Sequence, residues 1–320
     1  MPRIGARKVE VSPEQSGRRL DNFLSTVLKN VPKSFIYRII RRGEVRVNGS
    51  RSRPDTRLAA ADLVRIPPLN DDEGARPVIG AAKRELIAAA VIFENDALLV
   101  LNKPSGLAVH AGSGLRFGVR DIVREMRPGD PDIELTHRLD RETSGCLVFA
   151  KNYPALRLVQ QQLVHGDSRK NYLTLLRGEL PQTCTKVELK LAAMRTGGEK
   201  QTVVAKDGKH AMTEFTAIET IAGLCLAEAR IATGRTHQIR VHAAAIGHPV
   251  AGDRKYGDDT VNADLHRYGL RRMFLHAASI SLRPAAGMSP ITITAPLPPD
   301  LTQFLSAIRC RTTNQTGAGE

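Results

Sequence analysis

From Leu20 onward, Leu20, Phe23, Leu24, Val27 and Leu28 recur at helical spacing and define one apolar face. The run Val31-Pro32-Lys33-Ser34 breaks that helix, and Ser34 is expected to cap a second one. In the second helix Ile36, Ile39 and Ile40 point inward. Tyr37, Arg38, Arg41 and Arg42 fall on other faces, and Gly43 supplies the C-terminal stop. Val45-Arg46-Val47 alternates as a strand into an Asn48-Gly49 turn, and Leu63–Ile66 reads as another short strand. Residues 1–16 lack such a pattern and read as a flexible arm. After Pro67-Pro68, residues 69–84 are rich in Asp, Gly, Ala and Pro and read as a linker.

Past a short helical turn at 85–90, the pattern changes. Val91-Ile92-Phe93 and Leu98–Leu101 are apolar strands joined by Glu94-Asn95-Asp96, and Leu147–Ala150 is an apolar run of the buried-strand kind. Ala155–Leu163 after Pro154 reads as a helix, as does Thr236–Ile246 after its polar start. Tyr172–Leu176, Glu214–Ile218, Leu224–Ile231, Phe274–Leu282 and Ile291–Ala295 read as strands. Strands outnumber helices and short turns join several of them. The expected class is therefore α+β, a mixed, mostly antiparallel sheet with flanking helices behind a small helical/β N-terminal domain. The expected division is an arm at 1–16, a small domain at 17–68, a linker at 69–84, a large domain at 85–310 and a disordered tail at 311–320.

Charge sharpens this picture. The chain carries a net +14, and residues 1–66 hold 15 Lys and Arg against 6 Asp and Glu. Such clustering favours a polyanionic partner. With no Trp and 4% aromatic residues, extensive stacking platforms for single strands are not expected. Cys146, Cys184, Cys225 and Cys310 form no Cys-x-x-Cys pair and read as reduced thiols. No apolar run approaches a membrane span, and no apolar core follows the basic N-terminus, so a cytoplasmic protein is expected. Dinucleotide loops, phosphate loops and His-Glu-x-x-His are absent. His237, His242 and His248 do not have zinc-pair spacing, so neither cofactor nor metal is expected.

The densest chemistry lies in Thr136-His137-Arg138-Leu139-Asp140-Arg141-Glu142-Thr143-Ser144-Gly145. Asp140 sits between two arginines, and nearby positive charge favours the ionised form a carboxylate nucleophile or base requires. A capping or turn aspartate is the plain alternative. A glycosidase acting on free nucleosides would need a second acid, and Glu142 alone does not supply a defined pair.

Residues 136–151 resemble the signature of the large pseudouridine synthase family that modifies ribosomal and transfer RNA. Leu101–Gly106, Lys170–Leu173, Gly234–His242, Gly247-His248-Pro249 and Asp253–Gly257 follow in that family's order, spanning about residues 91–300. Residues 17–66 resemble the alpha-L RNA-binding domain first named from a ribosomal small-subunit protein. The resemblance implies isomerisation of uridine to pseudouridine without a cofactor, on a base flipped out of its stack. It makes Asp140 the catalytic residue, with its chemical step left open among attack at C1′, attack at C6 and removal of a sugar proton. Tyr172 would stack on the uracil and help remove the C5 proton. Arg240 would pair with Asp140, Ile239 would pack under the base, and Arg138 would fill the vacated stack. Lys103, Arg141 and Arg235 are candidate phosphate contacts, and Arg38, Arg41, Arg42 and Arg46 candidate RNA-docking residues. A non-catalytic RNA-binding factor is the rival, against which the intact Asp140, Tyr172 and Arg240 stand. The N-terminal run looks most like the family's C-type, large-subunit branch. That implies several target uridines in 23S ribosomal RNA, approached by a monomer.

Overall fold

A computed structural model describes residues 5–28, 31, 33–68, 79–111, 117–180, 184–196 and 199–316. The N-terminal unit comprises β1 (Arg7–Glu10), α1 (Leu20–Val27), α2 (Lys33–Arg41), β2 (Arg46–Val47), β3 (Ser50–Arg51) and β4 (Leu63–Ile66). Its sheet runs β1-β4-β2-β3, all antiparallel. The apolar stripes read from the sequence close one core, with Leu20, Phe23, Leu24, Ile36, Ile39 and Ile40 packed on Val64 and Ile66. Arg38, Arg41 and Arg42 are left on the outside.

Three expectations change here. The arm is not wholly loose, because Arg7–Glu10 pairs in register with Leu63–Ile66. The segment read as a linker ends in a helix, α3 (Ala81–Ala89), while 69–78 lie outside the described residues. The tail is helical at its start, since a C-terminal helix, Pro299–Thr316, runs into it. The cap expected from the Ser34 side chain lies outside what is described.

The larger unit continues with β5 (Val91–Glu94), β6 (Leu98–Lys103), α4 (Val119–Met126), β7 (Glu134–Leu135), β8 (Ser144–Ala150), α5 (Tyr153–His165) and β9 (Arg169–Arg177). Then come β10 (Thr185–Thr196), β11 (Glu199–Val204), β12 (Lys209–Ile221), β13 (Leu224–Ile231), α6 (Gln238–Ala245), α7 (Asp259–Arg267), β14 (Leu275–Leu282), β15 (Ile291–Thr294) and α8 (Pro299–Thr316). The sheet order is β11-β10-β12-β13-β9-β14-β8-β6-β5, with β15 on β14 and β7 on β8. Among the described residues only β8 and β14 pair in parallel. This is the mixed, mostly antiparallel α+β sheet that the strand pattern implies. β6 and β8 are covered on both faces, which explains their unbroken apolar runs. Gly145 is required where β8 meets β14: its φ is +109°, and a Cβ there would collide with the backbone of Ala277.

Arg18 joins the two units. Its guanidinium, 4% exposed, donates to Asp132 at 3.0 Å and to Thr26 at 2.8 Å and lies over the Tyr153 ring. No helix among the described residues is long and apolar enough to cross a membrane.

Candidate active site

The loop between β7 and β8 carries Asp140, and backbone groups hold it from both sides. Thr136 donates its N–H and its hydroxyl to Val148 O, while the Val148 N–H donates to His137 Nε2. Burial keeps His137 neutral, lowering it to about 4, so that ring nitrogen can accept. On the other side, Gly106 N donates to Arg141 O at 2.9 Å, Arg141 Nε returns a bond to Gly106 O, and Ser105 Oγ donates to Glu142 O.

Lys103 sits beneath these contacts and corrects an expectation. Read as a phosphate contact, it is instead fully buried. Its ammonium donates to the carbonyls of Pro104 (2.8 Å), Leu107 (2.9 Å) and Arg141 (3.1 Å). All three N–H groups are thus used internally and none is left for RNA. Burial, with Arg272 in support, pushes the group down to about 7, against the pull of Asp140. Lys103 ties the turn after β6 to the loop that carries Asp140.

Arg240, on the first turns of α6, links Asp140 to Asp253. Nε and Nη2 donate to the two oxygens of Asp253 at 2.7 and 2.8 Å, and Nη1 donates to Asp140 Oδ2 at 3.2 Å. Asp253 also accepts from the N–H groups of Lys255 and Tyr256. Burial alone would raise the Asp253 carboxyl, but the Arg240 bonds outweigh it and hold it below the usual range. The fork fixes the guanidinium plane, so Arg240 presents one N–H to Asp140 in a set direction. Asp140 itself stays open enough to react, its side chain 17% exposed.

A cavity opens over Asp140. Tyr172 from β9, Ile231 from β13, Ile239 and Arg240 from α6 and Leu275 from β14 line it, together with Arg138, Leu139, Thr143 and the 234–238 loop. Tyr172 and Ile239 are buried, as a wall and floor for a planar base require. Burial, reinforced by the Asp140 charge, raises the Tyr172 phenol well above its ordinary value, so the ring enters as a neutral phenol. Gln238 braces the loop: its amide donates to Met212 O and Thr213 Oγ1, and its oxygen accepts from Thr233 Oγ1 and Arg235 N.

Arg138, Arg141 and Arg235 are exposed, and Arg138 and Arg235 belong to the lining of this cavity. Arg141 and Arg235 are steered by Gly106 O and His210 O. A second cavity lies between the two units, walled by Arg19, Asn22 and Arg57 on one side and by His110, Arg138 and Gln160 on the other, so Arg138 borders both cavities. The docking candidates lie apart from both. Arg38 and Arg41 are exposed over the rings of Phe35 and Tyr37, Arg42 stands 3.8 Å from Glu44, and Arg46 is half-buried.

Sequence reasoning gave no role to Asp253 or Tyr256 and weighed His237 only to set it aside as a metal ligand, though all three stand in runs it singled out. His237 occupies the left-handed region (φ 53°) at the start of α6, an unusual conformation for a non-glycine residue.

Residues 97–245 match the family model for RNA pseudouridylate synthase, and residues 18–64 match that for the S4 domain. Ribosomal large subunit pseudouridine synthase C of Pasteurella multocida is 43% identical over 95% of this chain and 94% of its own. The proteins of that name from Yersinia pestis and Escherichia coli K12 are 44% and 42% identical, each over 94% of this chain and 95% and 96% of their own. Among solved structures, human RNA Pseudouridylate Synthase Domain Containing 4 superposes with a TM-score of 0.59 at 21% identity, over 71% of this chain and 96% of its own. Human RNA Pseudouridylate Synthase Domain Containing 1 gives 0.54 at 26%, over 65% and 83%.

Proposed function

This chain belongs to the RNA pseudouridylate synthase family, which isomerises uridine to pseudouridine in RNA, and on that premise we propose that its substrate is the 23S RNA of the large ribosomal subunit. Agreement with large-subunit enzymes over nearly the whole chain, N-terminal module included, supports this reading, as does the basic N-terminal surface. Modification of several uridines by a cytoplasmic monomer is part of the same proposal.

The observation that carries the chemistry is Asp140 held by Arg240 in the lining of a cavity that Tyr172 and Ile239 also line. The reaction breaks N1–C1′, rotates the base and forms C5–C1′, and the C5 proton is lost as N1 gains one. Nothing is oxidised or consumed, so a positioned carboxylate and a pocket that holds the loose base are the essential parts. In this reading Tyr172 and Ile239 sandwich the uracil, and Arg138, at the border of both cavities, takes the place the base leaves in the RNA. The exposed Arg141 and Arg235 and, on the module, Arg38, Arg41, Arg42 and Arg46 meet phosphates, which provide affinity without reading sequence. Residues 17–68 are the docking module and 85–310 the catalytic domain.

The test is a pseudouridine map of 23S RNA from cells lacking the protein, complemented with wild type or Asp140→Asn. Particular sites should vanish, return with wild type and stay absent with the variant. A map that never changes would remove the large-subunit substrate. Restoration by Asp140→Asn would remove Asp140 from the chemistry.

A further inference from the structure

Two donors converge on one oxygen of Asp140. Arg240 Nη1 lies 3.2 Å from Oδ2, and His237 Nε2 lies 3.8 Å from the same atom. Among the described residues no side chain or backbone group donates to Oδ1. On its other side, His237 Nδ1 is 2.8 Å from Tyr256 Oη, and Tyr256 Oη accepts the backbone N–H of Thr202 at 3.0 Å. Thr202 belongs to β11 on the far edge of the sheet, paired with Ala193 of β10.

The donors assign the protons. The Thr202 N–H can only donate, so it fills one lone pair of the phenol. The phenol proton is then free to point at Nδ1, which accepts, and the ring proton sits on Nε2, facing the carboxylate. The opposite tautomer would aim a lone pair of Nε2 at an anionic oxygen. A doubly protonated ring is disfavoured by burial first and by the Arg240 and Lys255 charges, against the pull of Asp140 and the weaker pull of Asp253, so the imidazole is driven toward its neutral form. The edge-on packing of the His237 and Tyr256 rings, centroids 5.5 Å apart, holds the pair together. The left-handed backbone at His237 turns its ring into the cavity. Strained conformations of this kind persist where the surroundings enforce them and are concentrated at functional sites.

We propose that His237 and Tyr256 are positioning residues that, with Arg240, pin Oδ2 of Asp140 and leave Oδ1 as the oxygen that reacts. This rests on the reading of Asp140 as the catalytic residue. The 3.8 Å gap exceeds a hydrogen bond, and contacts of this kind tighten when substrate fills the site. Tyr256 never touches the RNA in this scheme. Its phenol fixes the imidazole, and the imidazole fixes the carboxylate.

The experiment follows tritium release from 23S RNA transcribed in vitro with [5-³H]uridine, using the full-length chain. Tyr256→Phe keeps the ring that lies 5.0 Å from the Arg240 guanidinium and removes only the hydroxyl. It should lower kcat about tenfold with KM unchanged, as expected for lost alignment of a reacting group. His237→Gln keeps an amide N–H near the place of Nε2 and should retain several times the rate of His237→Ala. Combining Tyr256→Phe with His237→Gln should add almost nothing, because glutamine has no tautomer for the phenol to set. Wild-type kcat in Tyr256→Phe overturns the proposal, and so do effects that multiply in the double variant. If Tyr256→Phe does not fold, the ratio of His237→Gln to His237→Ala decides, and equal rates overturn it. Asp140→Asn is the control. Wild-type rate there fails the underlying reading itself, whereas its inactivity beside an unaffected Tyr256→Phe fails only the proposal made here.

Discussion

On α2 and the turn beyond it, Arg41 and Arg42 are exposed, Arg41 over the Tyr37 ring and Arg42 at 3.8 Å from Glu44. In the catalytic domain Arg240, Arg120 and Arg124 are largely buried. Arg240 spans two aspartates, and Arg120 and Arg124 converge on Glu134. The first group offers charge with freedom of direction, which suits a phosphate backbone of variable path. The second group gives up that freedom for a fixed plane, which suits a carboxylate that must be held in place. One residue type thus serves affinity in one region and geometry in the other.

The sharpest way to break this contrast is Asp253→Asn. It removes half of the fork that orients Arg240, and the rate of bound RNA should fall about a hundredfold, while salt-dependent RNA affinity is preserved. A matching loss of affinity would mean that Arg240 also serves as a phosphate site. Next, Lys103→Met leaves three backbone carbonyls without their donor and should cost about 2–3 kcal/mol in urea unfolding. It should also slow turnover by loosening the Asp140 loop. Its salt slope for RNA should match wild type, and a shallower slope would restore Lys103 as an RNA contact.

Glu134 extends the comparison to pH. Burial acts to raise its carboxyl, but Arg120 and Arg124 prevail and hold it at about 2 against an ordinary 4.5. Between those values the unfolded chain binds more protons than the folded one, so stability rises with pH across the window. The contribution is complete above 4.5 and disappears as pH falls to about 2. The displacement is worth about 3 kcal/mol. Glu134→Gln should be less stable than wild type by about that amount at neutral pH, with the gap closing toward pH 2. A gap independent of pH would assign the loss to packing. The smallest effects belong to the module: each of Arg41→Ala, Arg42→Ala and Arg46→Ala should weaken binding severalfold and reduce the salt slope by about one, with kcat untouched.

Much of the architecture was legible because its signals are local. Leu20–Leu28 and Ile36–Ile40 show their helical faces within two turns, and the apolar runs of β6 and β8 announce burial on both sides. α8 was equally readable in principle, with Leu301, Phe304, Leu305 and Ile308 at helical spacing in its core, but the polar residues after Arg311 obscured it. The β10–β11 hairpin also escaped notice, although Val187, Leu189 and Leu191 alternate with Lys186, Glu188 and Lys190. The site was legible unevenly. Asp140 and Arg240 stood out within their motifs, whereas the burial of Lys103 depends on carbonyls at 104, 107 and 141 that only the fold gathers. For the same reason the roles of Asp253 and Tyr256 cannot be read locally: their partners lie 13 and 19 positions earlier, on α6 and at its start.

Because β8 pairs in parallel with β14, the order in which this chain is synthesised sets what it can do at each stage. All contacts of the N-terminal core are available once Ile66 has been made, so that unit is free to fold early. Ser144 meets His276 only 132 positions later, and until then the strand that follows Asp140 is an apolar edge without that neighbour. A stalled or truncated chain therefore presents its basic surface before it possesses a catalytic centre, and the competence to isomerise arrives only once β14 has been made.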